Sequence, residues 1–499
     1  MVQRIVIFLL VSCSMLHTKA QVVTSTTPLA ASLNLYSNKY QVTVTQNGKS
    51  YTSYTYITTG AGAQAHNQQG NTFNYSIFSF SQPVTIEVVK LNSSATSATI
   101  RPNRLGLGKI TTTPSGSGSS VRFNLSKPAK LSVEFDDDPT LKDVLLISAD
   151  SLENPLNVPN TAASNVYVVT GDNVSSIPAG KQIIYFTPGL HTIGYWNIPA
   201  TITQIYMANG SFVRGYFYVN RGDIAQPGIL INGRGILSED IYPYHNPVGG
   251  PNFYSSIQIQ GGHNHTIEGI TITDATCNNI MLNAPQCYIR NVNVNGFELN
   301  NDAVTTGNNI CVIDNCFFHV NDDCLVLYGS NLTISNCVIW QLPGGSIVQL
   351  GWKPNVIGGT NLIDNIDVIH AEWTDTTSQN VGFINAMNTV AGSGSGLVQN
   401  FTVSNIYFDT NILRFLDIRM IKNGIGQPGN FKNFAFKNIH IVSTNSSAVP
   451  LISLSGYDAT HTITGFTFQS VYINNQLCLG APFNNDFVTT DQLTKVTFQ

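Results

Sequence analysis

Beyond about residue 229, short segments of alternating apolar residues recur around a polar–Asn step. Ile267–Ile272 reads I-E-G-I-T-I, Ile289–Val294 I-R-N-V-N-V, Ile313–Phe318 I-D-N-C-F-F and Ile334–Ile339 I-S-N-C-V-I. Further copies span Ile363–Val368, Val403–Phe408, Phe436–Ile441 and Phe468–Ile473, and Ile229–Leu237 looks like an earlier one. Aligned on Gly269, Asn291, Asn315, Asn336, Asn365, Asn405, Asn438 and Ser470, the copies are 22, 24, 21, 29, 40, 33 and 32 residues apart. A period of this size that varies by insertion marks a solenoid whose coils stack strand on strand. Leu does not recur at the positions of a leucine-rich repeat and no helical period is present, so the pattern predicts a right-handed parallel β-helix. The repeated Asn belongs at a corner, where it tolerates the left-handed conformation and can bond its counterpart one coil away.

The upstream third reads differently. Gln41–Thr45, Tyr51–Thr58, Phe73–Phe80, Val84–Leu91, Val121–Leu125 and Lys130–Phe135 are short alternating runs separated by Gly, Pro, Asn and Ser. Several short strands with turn signals predict an antiparallel β-sandwich. Ser151–Ser164, with Pro155 and Pro159, is the expected linker. The expected all-β organisation is therefore a β-sandwich over residues 21–160 and a β-helix over 161–499.

Residues 1–20 carry Arg4, an apolar run Ile5–Val11 and a small residue, Ala20, before Gln21. That is the pattern of a cleaved signal peptide, too short to span a bilayer. Nine Asn-x-Ser/Thr sequons (Asn74, Asn92, Asn124, Asn173, Asn209, Asn264, Asn331, Asn400 and Asn445) fit a secreted, extracellular chain. Of eight cysteines, one (Cys13) lies in the leader; the odd remainder of seven implies at least one free thiol. Cys277, Cys287, Cys311, Cys316, Cys324 and Cys337 suit small core positions as well as disulfides. No Cys/His spacing reads as a zinc site. A net charge of −4 with 10% charged residues argues against nucleic acid and against electrostatic capture of a polyanion. No membrane partner is implied, and a monomer is expected.

A solenoid has no natural pocket, so function must lie on an outer face. The densest ionisable set there is N-N-D-A-V (300–304) followed by H-V-N-D-D (319–323). Asp302 and Asp322 are 20 residues apart, close to one coil, and stack on the same side at about 5 Å. Asp322 and Asp323 are adjacent, so the chain must bend for both to face one groove. Crowded carboxylates raise at least one pKa, which places an acid beside a base, as glycosidic bond hydrolysis requires. An Asp-rich turn and a calcium site remain open as alternatives on spacing alone. No Ser/His/Asp nucleophile pattern and no phosphate-cradling Gly-rich loop is present.

The strings H-V-N-D-D-C-L-V-L-Y (319–328), V-I-W-Q (338–341), I-V-Q-L-G-W (347–352) and D-V-I-H (367–370) resemble glycoside hydrolase family 49, the dextranases and isopullulanase. Upstream, I-Y-F-T-P-G (184–189) and I-Y-M-A-N-G-S-F-V-R-G (205–215) resemble its first β-helix coils. The resemblance implies inverting hydrolysis of a polysaccharide without a cofactor. It implies Asp322 as general acid, with Asp323 and Asp302 holding the attacking water. The family's usual Thr-Asp-Gly is replaced here by Asn301-Asp302-Ala303. Polygalacturonases share the aspartates and the fold but add a Gly-His-Gly and an Arg-Ile-Lys that grips the uronate. Here 343–347 reads P-G-G-S-I, and Arg419-Met420-Ile421-Lys422 has other spacing, so a neutral glucan, foremost the α-1,6 linkages of dextran, is expected. Tyr328, Trp352 and Lys353 are expected along the groove as substrate contacts. His319 is a candidate partner of the aspartates, and Gln349 a further contact. A carbohydrate-binding protein without catalysis is the rival of another class.

Overall fold

The structure is a computed structural model that describes residues 21–25, 35–59, 72–243, 255–351, 356–374, 380–386, 396–420, 429–444, 450–478, 487–489 and 494–498. The expected leader, Trp352, Lys353 and the Asn445 sequon lie outside the described residues. Among the described residues no helix is long and apolar enough to cross a membrane.

Residues 21–150 form two packed sheets. One runs in the order Val22–Thr24, Thr72–Phe80, Leu145–Asp150, Ala129–Phe135, Ser97–Arg101, Gly108–Thr111; the other in the order Lys49–Ser53, Tyr40–Gln46, Val84–Lys90, Gly118–Leu125, Thr113–Ser115. Strict alternation on Val84–Lys90, with every second residue buried, turns Val84, Ile86 and Val88 inward against Leu131, Val133 and Ile147. Two details depart from the sequence reading. The run expected as one strand over Tyr51–Thr58 breaks at Tyr54, and its halves, Lys49–Ser53 and Thr55–Thr59, join different sheets. The sandwich is not wholly antiparallel either, because Leu145–Asp150 pairs parallel with Thr72–Phe80.

From Val166 the chain winds into a parallel β-helix of three faces, a single continuous 31-stranded ladder. The first face stacks Ile257–Gln260, Ile280–Asn283, Val304–Thr306, Leu325–Leu327 and Val348–Gln349. The second stacks His265–Glu268, Cys287–Arg290, Cys311–Asp314 and Leu332–Ser335. The third stacks Thr271–Thr273, Asn293–Asn295, Phe317–Val320 and Val338–Gln341. Inward Ile, Val, Leu and Phe side chains form one core along the axis. It includes rings stacked on successive coils, such as Phe401–Phe434 at 4.8 Å and Phe434–Phe466 at 4.6 Å between centroids. Cys277, Cys287, Cys311, Cys316, Cys324 and Cys337 are buried free thiols.

The corner between the second and third faces carries the repeated Asn. Asn291, Asn315, Asn336, Asn365, Asn405 and Asn438 all have φ between 54° and 59°. Their amides bond from coil to coil: Asn315 to Asn291 at 2.9 Å, Asn365 to Asn336 at 2.6 Å, Asn438 to Asn405 at 2.7 Å. Asn suits this place because its short amide tolerates the left-handed backbone and carries both a donor and an acceptor.

In its later coils the third face is apolar outside as well as inside, where the sandwich covers it. Phe297, Phe317, Val338, Trp340 and Ile369 pack against Phe73, Tyr75, Ile77, Val144 and Leu146. Charged pairs frame this seam: His370 meets Glu134 at 2.8 Å, Arg101 meets Glu134 at 3.0 Å, and Arg104 forks onto Asp367 at 2.6 and 2.7 Å. The sandwich thus covers the third face, and the Asn ladder lines its corner with the second. The first face and the corner leading into it are left for a ligand.

Candidate active site

At the corner between the third and first faces, each coil leaves the sandwich-covered strand and bends outward. Asp302, Asp322 and Asp323 all lie there, lining one open cleft of about 610 Å³ with Cys277, Asn278, Met281, Asn300, Thr305 and Tyr328. The bend that the adjacent aspartates require sits at residues 321–323, between Phe317–Val320 and Leu325–Leu327.

The ladder register corrects one expectation. Val304 is paired with Leu325, so the coil offset is 21 and Asp302 stacks on Asp323, with Asp322 one residue further out. The amide of Ala303 donates to the Asp323 carbonyl at 3.3 Å, as this offset demands. Asp323 forms the cleft floor at 1% exposure, while Asp302 and Asp322 are half-buried.

Each carboxylate has a distinct set of donors. Asp322 accepts the N–H of Asn300 at 2.9 Å and that of Asp323 at 2.8 Å. Asn300 presents its N–H this way from a left-handed backbone, φ 56°. Asp323 accepts both the N–H and the hydroxyl of Ser346, one coil on, at 2.8 and 2.7 Å. Gly345 lets that coil approach, because a Cβ there would sit 2.2 Å from the Asp322 carbonyl carbon. Asn279 donates to the Asp302 carbonyl at 3.0 Å, and buried Asn301 donates to the Ala275 carbonyl at 3.2 Å, so two amides hold the Asp302 loop. Ala303 faces the core, fully buried.

Burial pushes the Asp302 carboxyl well above its usual range, and the charges of Asp322 and Asp323 push it further. Burial also raises Asp322, against the N–H groups of Asp323 and Asn300, which favour its ionised form. The phenol of Tyr328 is raised too, by burial and then by Asp323 and Asp302. Titrations in this cleft are coupled, and the cluster retains a proton where an isolated aspartate has lost it.

Tyr328 stands in the cleft beside the acids. His319 does not. It is fully buried under the sandwich, 3.8 Å from the Phe73 ring and in edge contact with Phe297 and Trp340. Burial, with His370 nearby, lowers its pKa to about 3, so it is a neutral packing residue. Gln349 is buried as well, next to Val326 in the ladder; it donates to Asn380, which lines the cleft, and to Asn385, and accepts from the Gly351 N–H. Sequence reasoning missed Asn279, Asn300 and Ser346; their spacing of one coil from the aspartates was the available signal. Among the described residues no group of three or more His, Cys, Asp or Glu side chains is arranged to hold a metal ion.

No family model matches the chain. Isopullulanase of Aspergillus niger is 24% identical over 506 residues, covering 88% of this chain and 86% of its own. Dextranase of Arthrobacter globiformis is 24% identical over 486 residues, covering 82% and 75%. The solved structure of Dex49A from Penicillium minioluteum matches with a TM-score of 0.70 at 20% identity, covering 89% of this chain and 90% of its own. These relatives, matched over most of this chain and most of their own length, support placing it in the dextranase and isopullulanase family, glycoside hydrolase family 49, and the solved structure shares its fold.

Proposed function

We propose that the cleft is the active centre of a secreted, monomeric, inverting endo-hydrolase of a neutral α-glucan, with the α-1,6 linkages of dextran as its main substrate. One observation carries this reading: three carboxyls from two stacked coils line a single open cleft, and two have raised pKa values. Glycoside hydrolysis by inversion needs one carboxyl to protonate the leaving oxygen and another to activate water. Asp322 is the acid, the outermost of the three; Asp302 and Asp323 hold the water, with Ser346 fixing Asp323. Tyr328 is a stacking surface for the sugar. The lining contains no Arg or Lys among the described residues, which suits an uncharged chain.

The electrostatics add a condition. Two N–H donors favour the ionised form of Asp322 while burial raises it, and burial with the charges of both neighbours raises Asp302. To act as the acid, Asp322 must carry the proton when substrate is bound. Assays on dextran, pullulan and other neutral glucans, with product anomers followed by NMR, test the reading. Inverted products from dextran are expected. Retention of configuration refutes the mechanism, and binding without turnover on every glucan favours the carbohydrate-binding rival. Pullulan is the second substrate to try, because the isopullulanase relative matches 88% of this chain.

A further inference from the structure

We infer that the glucan groove continues from the acids toward the N-terminal coils, along the outward side chains of the first face, and ends on a paired tyrosine platform formed by Tyr218 and Tyr195. The inference rests on the reading of the acids given above.

The ladder defines the path. Val326, Thr305, Met281, Gln258 and Tyr218 are register partners in successive coils, one outward column. The first three of these line the acid cleft. A parallel column beside it runs Asn283, Gln260, Asn220. Gln258, Gln260, Met281 and Asn283 are all part-exposed, on the outward side of strands Ile257–Gln260 and Ile280–Asn283. None carries a charge; their amides offer both donors and acceptors, the groups that pair with sugar hydroxyls. At the far end the Tyr195 and Tyr218 rings lie 6.0 Å apart and 26° from parallel, with Tyr195 36% exposed. The second face lacks such a floor. At the equivalent outward positions it carries Glu268, Arg290 and Asp314, charged in three consecutive coils.

Coils advance about 4.8 Å each, so Tyr218 stands about 14 Å from Thr305 and Tyr195 about one coil beyond. A pyranose is of similar length to one coil step, and the platform therefore meets a sugar roughly three to four units from the cleavage point. Its occupant is a long neutral glucan, whose apolar ring face stacks on tyrosine; a chain of two or three sugars does not reach it.

Tyr195→Ala and Tyr218→Ala, in the full chain, test this against dextran and isomalto-oligosaccharides of graded length. KM for dextran is expected to rise about five- to tenfold at unchanged kcat, with kinetics on isomaltotriose unaltered; Tyr218→Phe, which keeps the ring, restores wild-type KM. Unchanged KM on dextran in the exposed-site Tyr195→Ala variant, with its melting temperature intact, overturns the platform while leaving the acids' role standing. An equal rise in KM on short and long chains also overturns it. A wild-type protein inactive on every chain length refutes the reading of the acids and, with it, the groove.

Discussion

Two corners of the same coil use the same stacking to opposite effect. At the corner between the second and third faces, amides stack on amides: Asn315 donates to Asn291 at 2.9 Å and Asn365 to Asn336 at 2.6 Å, while Asn336 itself donates to the Asp314 carboxylate at 2.6 Å. At the corner between the third and first faces, carboxylates stack on carboxylates, Asp302 over Asp323. An amide carries a donor and an acceptor, so a column of amides satisfies itself; an ionised carboxylate only accepts, so a column of carboxylates repels itself. Repulsion is contained by importing donors from the backbone, Asn300 and Asp323 onto Asp322, Ser346 onto Asp323, and by keeping a proton. The first corner is a device for stability. The second stores unfavourable charge where a reaction can use it.

The sharpest way to break this contrast is to make the acidic corner amide-like. Asp322→Asn is expected to lower kcat/KM by about 10³- to 10⁴-fold while leaving the melting temperature level or raised, since like charges are removed. Activity should survive better on an aryl glycoside with an activated leaving group, because such a group departs without a proton; equal loss on both substrates would move the acid's role to Asp302.

Glu239 permits a test of a third case, an acid at the same corner two coils upstream of Asp302. It is fully buried, accepts the Thr276 N–H and hydroxyl at 2.7 Å each and the Ser256 hydroxyl, and burial pushes it from 4.5 up to about 7. A folded-state pKa above the unfolded one means that stability is full below about pH 4.5 and is lost as pH rises through 7. The rise corresponds to on the order of 3 kcal/mol. Glu239→Gln should flatten the melting temperature between pH 5 and 8 relative to wild type; parallel curves would show that Glu239 titrates normally.

The smallest expected effect comes from placing a charge in the amide ladder. Asn336→Asp sets a second carboxylate against Asp314 at an exposed corner, with an expected cost of about 1 kcal/mol at pH 7. Thermal melts should show that cost shrinking as pH falls toward 4, with activity per folded molecule unchanged. A loss of equal size at both pH values would assign it to the backbone conformation and not to charge.

Much of this protein was legible in its residues. The Asn step marked the corner and its left-handed backbone, because few other residues tolerate that conformation while bonding their neighbours. Asp302, Asp322 and Asp323 were legible because ionisable groups are scarce here and three of them fall within 22 residues. Phe317-Phe318-His319-Val320 was also informative, though in another sense: a strand apolar on both sides announces a covered sheet, and His319 belongs to that cover.

What only the tertiary structure decided was register and enclosure. A one-residue difference in coil length places Asp302 on Asp323 instead of Asp322, and no count along the chain fixes where insertions fall within a coil. That it is the sandwich that covers the third face is equally silent in the sequence, since it depends on contacts between residues more than 200 apart, such as His370 with Glu134. Periodicity determines that strands stack; the packing of one domain on another determines which stacked face remains open to a substrate.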